Sequence, residues 1–218
     1  MSGLLTPDLA DLRQVLGGDM ANLVLFLSSQ RGGIEATGTL KDLSGEGNDC
    51  TLAGDTYVDA DGIHFDGNDS GSITDIARLG TTVQSQMLWF RRTGASTNQY
   101  ILDQGANNHW ISITNTKVVG GAAAGAYMTG NTVTGTDTWY HVGMTYGTVT
   151  QTLYVNGVYD NSRAVGTNAP STIVLGKYGG NSLYFTGQVD DIVITDSELT
   201  AAQVKAHYNS TKWRFSNA

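Results

Sequence analysis

The acids of this chain are many, but few are placed for chemistry. It carries 20 acidic residues, yet its only glutamates are Glu35, Glu46 and Glu198, each isolated from the others. Retaining glycoside hydrolysis needs two carboxylates about 5 Å apart, one as nucleophile and one as acid. Asp190 and Asp191 are adjacent, but on an alternating strand they point to opposite faces and cannot share one substrate. His64, His109, His141 and His207 are scattered with no H-x-x-x-H spacing, so zinc is not indicated. His141 follows Trp139 in a strand with no nucleophile at a suggestive spacing, which makes it a core histidine before a general base. The run Gly120-Gly121-Ala122-Ala123-Ala124-Gly125 lacks the G-K-[ST] ending of a phosphate loop and reads as a tight edge or bend. Binding chemistry is better represented. Trp110 with Asn107 and Asn108, and Tyr178 with Asn181 and Tyr184, combine flat apolar faces with amides, a mixture suited to sugar rings. The plainer reading is that such loop aromatics cap the core or make subunit contacts.

These groups need elements to hold them, and the stretch from Thr138 to Tyr208 supplies most of the evidence. Trp139 to Tyr146 alternates with a period of two and is rich in aromatic and β-branched residues, as a strand is. Thr152 to Val155 is a second strand that stops at Asn156-Gly157, a pair suited to a type I′ turn, and Val158-Tyr159 begins the return. After a loop at Asn168 to Pro170, Ser171 to Leu175 alternates again, and Gly187 precedes the strand through Val189 and Ile194. Trp89 and Trp139 lie in alternating strands and are expected in the core. A helix follows: Thr200 and Gln203 form a capping box, Leu199 and Val204 a hydrophobic staple, and Val204 and Tyr208 share a face.

At the start, Thr6-Pro7-Asp8 reads as a helix N-terminus, with Leu9, Leu12, Val15 and Leu16 on one face before Gly17-Gly18 ends it. This helix either packs on its own sandwich or docks on a neighbouring subunit through Leu9, Leu12 and Leu16. Leu23 to Leu27 is an apolar run of strand length. In the tail, Trp213 and Phe215 beside Lys212 and Arg214 form a candidate docking strip, unless the tail folds back on its own domain.

The order of pieces resembles the laminin-G-like and pentraxin-like group of concanavalin A-like jelly rolls. The matching pieces are W-x-H-V at Trp139, L-Y-V-N-G at Leu153, I-x-L-G at Ile173, F-x-G-x-V-D-D at Phe185 and L-T-x-x-Q-V at Leu199. The loop Asp42 to Asn48 and the strand end Phe65-Asp66-Gly67 extend the likeness, which covers about residues 22 to 208. It implies an all-β fold, an antiparallel β-sandwich of the jelly-roll type with a short N-terminal and a short C-terminal helix. Residues 1–21 would be a helical arm, 22–208 the jelly roll and 209–218 a tail. The resemblance also implies that Asp42, Asn48 and Asp190 lie together and hold a structural Ca²⁺ through oxygen ligands. The alternative is that Asp190 only accepts backbone N–H bonds from that loop. Laminarinase-type hydrolases of this architecture carry an E-x-D-x-x-E strand, and nothing in the chain matches it, so the chain is not expected to be an enzyme.

Composition agrees with one turn-dense β domain: 28 of 218 residues are glycine and only two are proline. A net charge of −8 offers no basic footprint for phosphate backbones, so nucleic acid is excluded as a partner. No apolar run reaches the ~20 residues that a membrane span needs. Cys50 is single, and the first residues lack a basic region followed by an apolar core, so the expected origin is the host cytoplasm. The resulting expectation is a virion surface protein of the capsid-decoration or fibre type. Its partners would be other virion proteins or copies of itself, with cell-surface glycans a further class. A calcium-assisted carbohydrate-binding module acting outside cells is the rival.

Overall fold

The computed structural model describes residues 9–29, 34–35, 38–74, 76–79, 83–94, 97–105, 108–123, 125–166, 172–180 and 182–215. Two antiparallel sheets face each other. In one, the order runs Val158–Ala164, Thr150–Val155, Trp139–Tyr146, Gln84–Arg92, Thr186–Thr195, Gly62–Asp66, Tyr57–Asp59, with Leu23–Leu27 also paired to Thr186–Thr195. In the other it runs Tyr127–Val133, Lys117–Ala122, His109–Thr114, Asn98–Asp103, Ile173–Leu175, Ser70–Ile73, Cys50–Ala53, Thr39–Leu40, Ile34–Glu35. Hairpins between consecutive strands alternate with pairings of distant ones, such as Gln84–Arg92 with Thr186–Thr195 and Asn98–Asp103 with Ile173–Leu175, which are the crossovers a jelly roll requires. The all-β sandwich expected from the sequence is what the chain forms.

Alternation decides what lies between the sheets. Leu88 and Phe90 point inward with Val142, Met144 and Tyr146, and they meet Ile111, Ile113 and Val118 from the facing sheet in one core. Cys50 is fully buried there, and burial pushes its thiol up to about 12, so it is an inert core residue. The Asn156-Gly157 turn has φ of 51° and 72°, the left-handed pair that a type I′ hairpin needs. At the open edges, Asp160 accepts from the backbone of Asn131 and Thr132, while Arg163 Nη1 donates to the Tyr127 carbonyl at 2.6 Å. These bonds tie the end strand of one sheet to the end strand of the other.

A second apolar cluster covers the outer side of the first sheet. Helix α1 (Leu9–Leu16) and helix α2 (Ala201–Thr211) lie together there, and Leu12, Val15 and Leu16 join Met87, Val193, Leu199 and Val204. Thr200 and Gln203 make both bonds of the capping box, and Gln203 Nε2 donates to the Leu16 carbonyl at 3.1 Å. The docking role expected of Leu12 and Leu16 is therefore corrected: they are 4% and 1% exposed, packed on their own sandwich. The Leu9 side chain and Thr6-Pro7-Asp8 lie outside the described residues, as do Asn168 to Pro170 and Ser171. Among the described residues, no helix is long and apolar enough to cross a membrane.

Candidate functional site: an aromatic cleft on the second sheet

Trp110 begins an outward-facing row. On the strand His109–Thr114, His109, Ile111 and Ile113 turn inward, so Trp110, Ser112 and Thr114 turn away from the core. Antiparallel register sets Ser112 opposite Tyr100 on one side and Val119 on the other, and Trp110 opposite Gly121, which itself pairs with Tyr127. The resulting cleft of about 330 Å³ is lined by Tyr100, Trp110, Ser112, Thr114, Val119, Gly125 and Tyr127. Gly121 makes the arrangement possible. A Cβ there would come within 2.6 Å of the Ala126 carbonyl oxygen and 2.9 Å of Trp110 Cη2, so only glycine lets the indole lie over this strand. The glycine-rich run is thus a bed for an aromatic ring.

One wall is a loop. Gly179 N donates to Asp103 Oδ2 at 2.9 Å, Tyr100 N donates to the Leu183 carbonyl, and the Tyr178 ring meets the Tyr100 ring at 5.2 Å. Burial, the Asp103 carboxylate and Tyr178 together hold the Tyr100 hydroxyl above its ordinary pKa, so it is a neutral hydrogen-bonding group at physiological pH. Tyr127 is 52% exposed and lines the cleft, its carbonyl fixed by Arg163. Among the described residues the lining holds aromatic rings and hydroxyls and no carboxylate, so it can stack on and hydrogen-bond a ligand and shows no acid–nucleophile pair.

Of the two aromatic groups expected from the sequence, Trp110 lines this cleft together with Tyr100, whereas Tyr178 contacts the Tyr100 ring without lining it. Asn108 is half-buried at the strand start, where its carbonyl accepts from Ala123 N. Tyr184 lies along the same loop with Lys177 Nζ 5.8 Å from its ring. Asn107 and Asn181 lie outside the described residues. Tyr100 and Tyr127 were not singled out in the sequence. Each sits in an alternating strand, but its place beside Trp110 depends on strand pairing.

Asp42 and Asp190, two of the expected calcium ligands, are each engaged by separate protein donors. Asp42 accepts from Phe26 N, Ser44 N, Ser44 Oγ and Asn48 N at 2.6–3.0 Å, and Asn48 Nδ2 donates to the Val24 carbonyl. Asp42 and Asn48 therefore close a loop onto Leu23–Leu27. Asp190 has other partners: Ser29 N and Oγ, its neighbour's N–H, and Arg214 Nη2 at 2.8 Å. A carboxylate with four donors, one of them cationic, has its charge and lone pairs already met. Nor do Asp190 and Asp191 point to opposite faces. The strand bulges after Asp190, Asp191 takes φ 47°, and Arg214 Nη1 reaches Asp191 Oδ2 at 2.5 Å. Separately, Asp55, Asp66 and Asp69 bring carboxylate oxygens within 4.8 Å of one another, with Asp69 accepting from Asp55 N and Asp66 N.

Arg214 also anchors the tail, and Phe215 stacks on Trp89 at 4.4 Å. Phe215 is 7% exposed, so its expected docking role is corrected too, whereas Trp213 stays 43% exposed. Trp89 and Trp139 are outside the inter-sheet core, on the outer face beneath this tail. His141 and His207 are buried with their rings hydrogen-bonded at 3.0 Å. Burial drives His141 well below its ordinary pKa, and burial followed by Arg214 brings His207 to about 4. Both are neutral and out of substrate's reach.

Comparison with known structures gives the same architecture. The botulinum neurotoxin serotype D binding domain matches with a TM-score of 0.68 and 15% identity over 88% of this chain and 52% of that one. A botulinum neurotoxin DC binding domain in complex with rat synaptotagmin II gives 0.65 and 16%, over 88% and 52%. The chain thus spans about half the length of these toxin domains. Domain 4 of AbnA, a GH43 extracellular arabinanase from Geobacillus stearothermophilus, in complex with arabinotriose, gives 0.65 and 21%, over 84% of this chain and 97% of that one. At such identities the likeness is one of fold. No curated protein matches by sequence. Residues 52–205 match the laminin G family described as the Concanavalin A-like lectin/glucanases superfamily, and the chain belongs to it.

Proposed function

We propose that this chain is a non-catalytic carbohydrate-binding domain whose ligand lies across Tyr100, Trp110 and Tyr127. The observation that carries the reading is the cleft itself, lined by Tyr100, Trp110 and Tyr127 with the hydroxyls of Ser112 and Thr114 and, among the described residues, by no carboxylate. The arabinanase domain bound to arabinotriose supports it, since that domain is matched over nearly its whole length. A neutral oligosaccharide suits the lining because stacking and hydroxyl bonding need no counter-charge. Isothermal titration with arabinotriose and a panel of neutral oligosaccharides tests the proposal. Saturable binding that falls about five- to tenfold in Tyr127→Ala is expected, because stacking on one ring is worth on the order of 1–1.5 kcal/mol. Binding unaffected by both Tyr127→Ala and Tyr100→Ala would overturn it.

Display on a virion surface is the setting proposed for this activity from the sequence, and co-sedimentation with empty capsids tests that setting. The assembly function has weaker support than binding, because Leu12, Leu16 and Phe215 are buried within the chain.

A further inference from the structure

A second cleft, of about 350 Å³, opens on the outer face of the first sheet. Five aromatic residues line it, Trp89, Trp139, Tyr208, Trp213 and Phe215, and the two others are Asn156 and Lys212. Trp213 is its exposed ring, at 43%, whereas Trp89 is stacked against Phe215 at 4.4 Å and Tyr208 at 5.6 Å. The Trp89 indole N–H is held by Thr211 Oγ1 at 2.9 Å and that of Trp213 by the Ser210 carbonyl at 2.8 Å. Its polar rim is donor-rich. Asn156 Oδ1 already accepts from His141 N, which leaves the amide NH₂ as the group to offer, and Lys212 Nζ stands 5.4 Å from the Tyr208 ring. Arg91 lies over Trp139 at 5.5 Å, adding a second cation beside the cleft.

Among the described residues no acid lines this cleft, although the chain carries a net charge of −8 and Asp61 lies in the adjoining hollow by Trp139 and Phe215. The contrast is local: the cleft by His64 is lined by Asp55, Asp66 and Asp69. Ring faces select a ligand with a flat C–H surface, and amide and ammonium donors select one rich in acceptor oxygens, above all a carboxylate. The volume lies at the small end of ligand sites, room for one sugar ring and not for a protein helix.

We infer that this cleft is a second binding site, for a single carboxylated sugar residue of the hexuronate type. The carboxylate pairs with Lys212 while the ring stacks on Trp213 and the Asn156 amide bonds a ring hydroxyl. The site shares no residue with the cleft around Trp110, so the two can succeed or fail separately.

The test is a tryptophan-fluorescence titration of the full chain with sodium glucuronate, glucose and benzoate at equal ionic strength. It uses the wild type, Lys212→Gln, Trp213→Ala and, as a control, Tyr127→Ala. Thermal melts establish that each variant is folded; Lys212 and Trp213 are exposed, so both are expected to be. Glucuronate should bind saturably, about tenfold more weakly in Lys212→Gln and in Trp213→Ala, and unchanged in Tyr127→Ala, with glucose at least about fivefold weaker than glucuronate in the wild type. Absence of saturation up to about 50 mM glucuronate, far above a useful affinity, would overturn the inference. So would equal binding by Lys212→Gln and Trp213→Ala, or glucose binding as well as glucuronate. Benzoate matching glucuronate would refute the sugar assignment in favour of an aromatic carboxylate.

Discussion

Replacing Arg214 by methionine should be among the most damaging single changes available in this chain. The guanidinium is 6% exposed and is paired with two carboxylates that are 1% and 2% exposed, Asp190 and Asp191. Removing the cation leaves two adjacent buried acids without a counter-charge, and breaking a buried pair in this way costs about 3–5 kcal/mol. For a domain of this size that corresponds to a fall in Tm of roughly 10 °C. The pH dependence is more diagnostic. Burial, then Asp191, raises Asp190 to about 6, against an unfolded value of about 3.9. The folded state therefore binds the extra proton between those values. This contribution to stability is fully present below about pH 4 and lost as pH rises through 6. His207 has the opposite sign: lowered to about 4, it favours folding above about pH 6.5 and loses that contribution as pH falls. In the wild type the two oppose each other over the same window. Without Arg214, neutralising Asp190 removes one of two unpaired charges, and the cation that depresses His207 is gone. The destabilisation should therefore shrink by about 1 kcal/mol or more between about pH 7.5 and pH 5. Urea denaturation of both proteins at the two pH values reads this directly. A cost below about 1 kcal/mol near pH 7.5, or an equal cost at both values, would refute the reasoning.

Gly121→Ala should cost about 1–3 kcal/mol in urea denaturation and abolish oligosaccharide binding, since its methyl group meets the Ala126 carbonyl and the Trp110 ring. Leu16→Ala should cost about 2–4 kcal/mol while leaving the gel-filtration elution volume unchanged, because the side chain packs within its own chain. Thr200→Ala removes the capping-box acceptor of α2 and should cost about 1 kcal/mol, visible as a few degrees in a calorimetric melt.

Features governed by local rules were legible in the sequence. Asn156-Gly157 adopts the turn its residue types call for, and Thr200 with Gln203 closes the box its spacing calls for. Expectations that needed strand pairing or a covering layer did not hold. Trp89 is buried as its alternation suggests, 3% exposed, but the strand Gln84–Arg92 is buried on both faces, and its ring, like that of Trp139 on the neighbouring strand, lies on the outer one, beneath the tail. Strict alternation would separate Asp190 from Asp191, and a one-residue bulge brings them to the same arginine. Trp110 and Tyr178 were visible as candidates. The residues joining them, Tyr100 and Tyr127, are placed only by the register of four antiparallel strands.

The most direct test of the account is titration of neutral oligosaccharides into the wild type and Tyr127→Ala, with heat and intrinsic fluorescence followed together. Tyr127 is 52% exposed, so its loss should leave the fold intact and act on the ligand alone. Saturable binding by the wild type, reduced about five- to tenfold in the variant with an unchanged Tm, is the predicted result. Equal binding by both proteins, or none by the wild type across the panel, would contradict a carbohydrate-binding face at Tyr100, Trp110 and Tyr127.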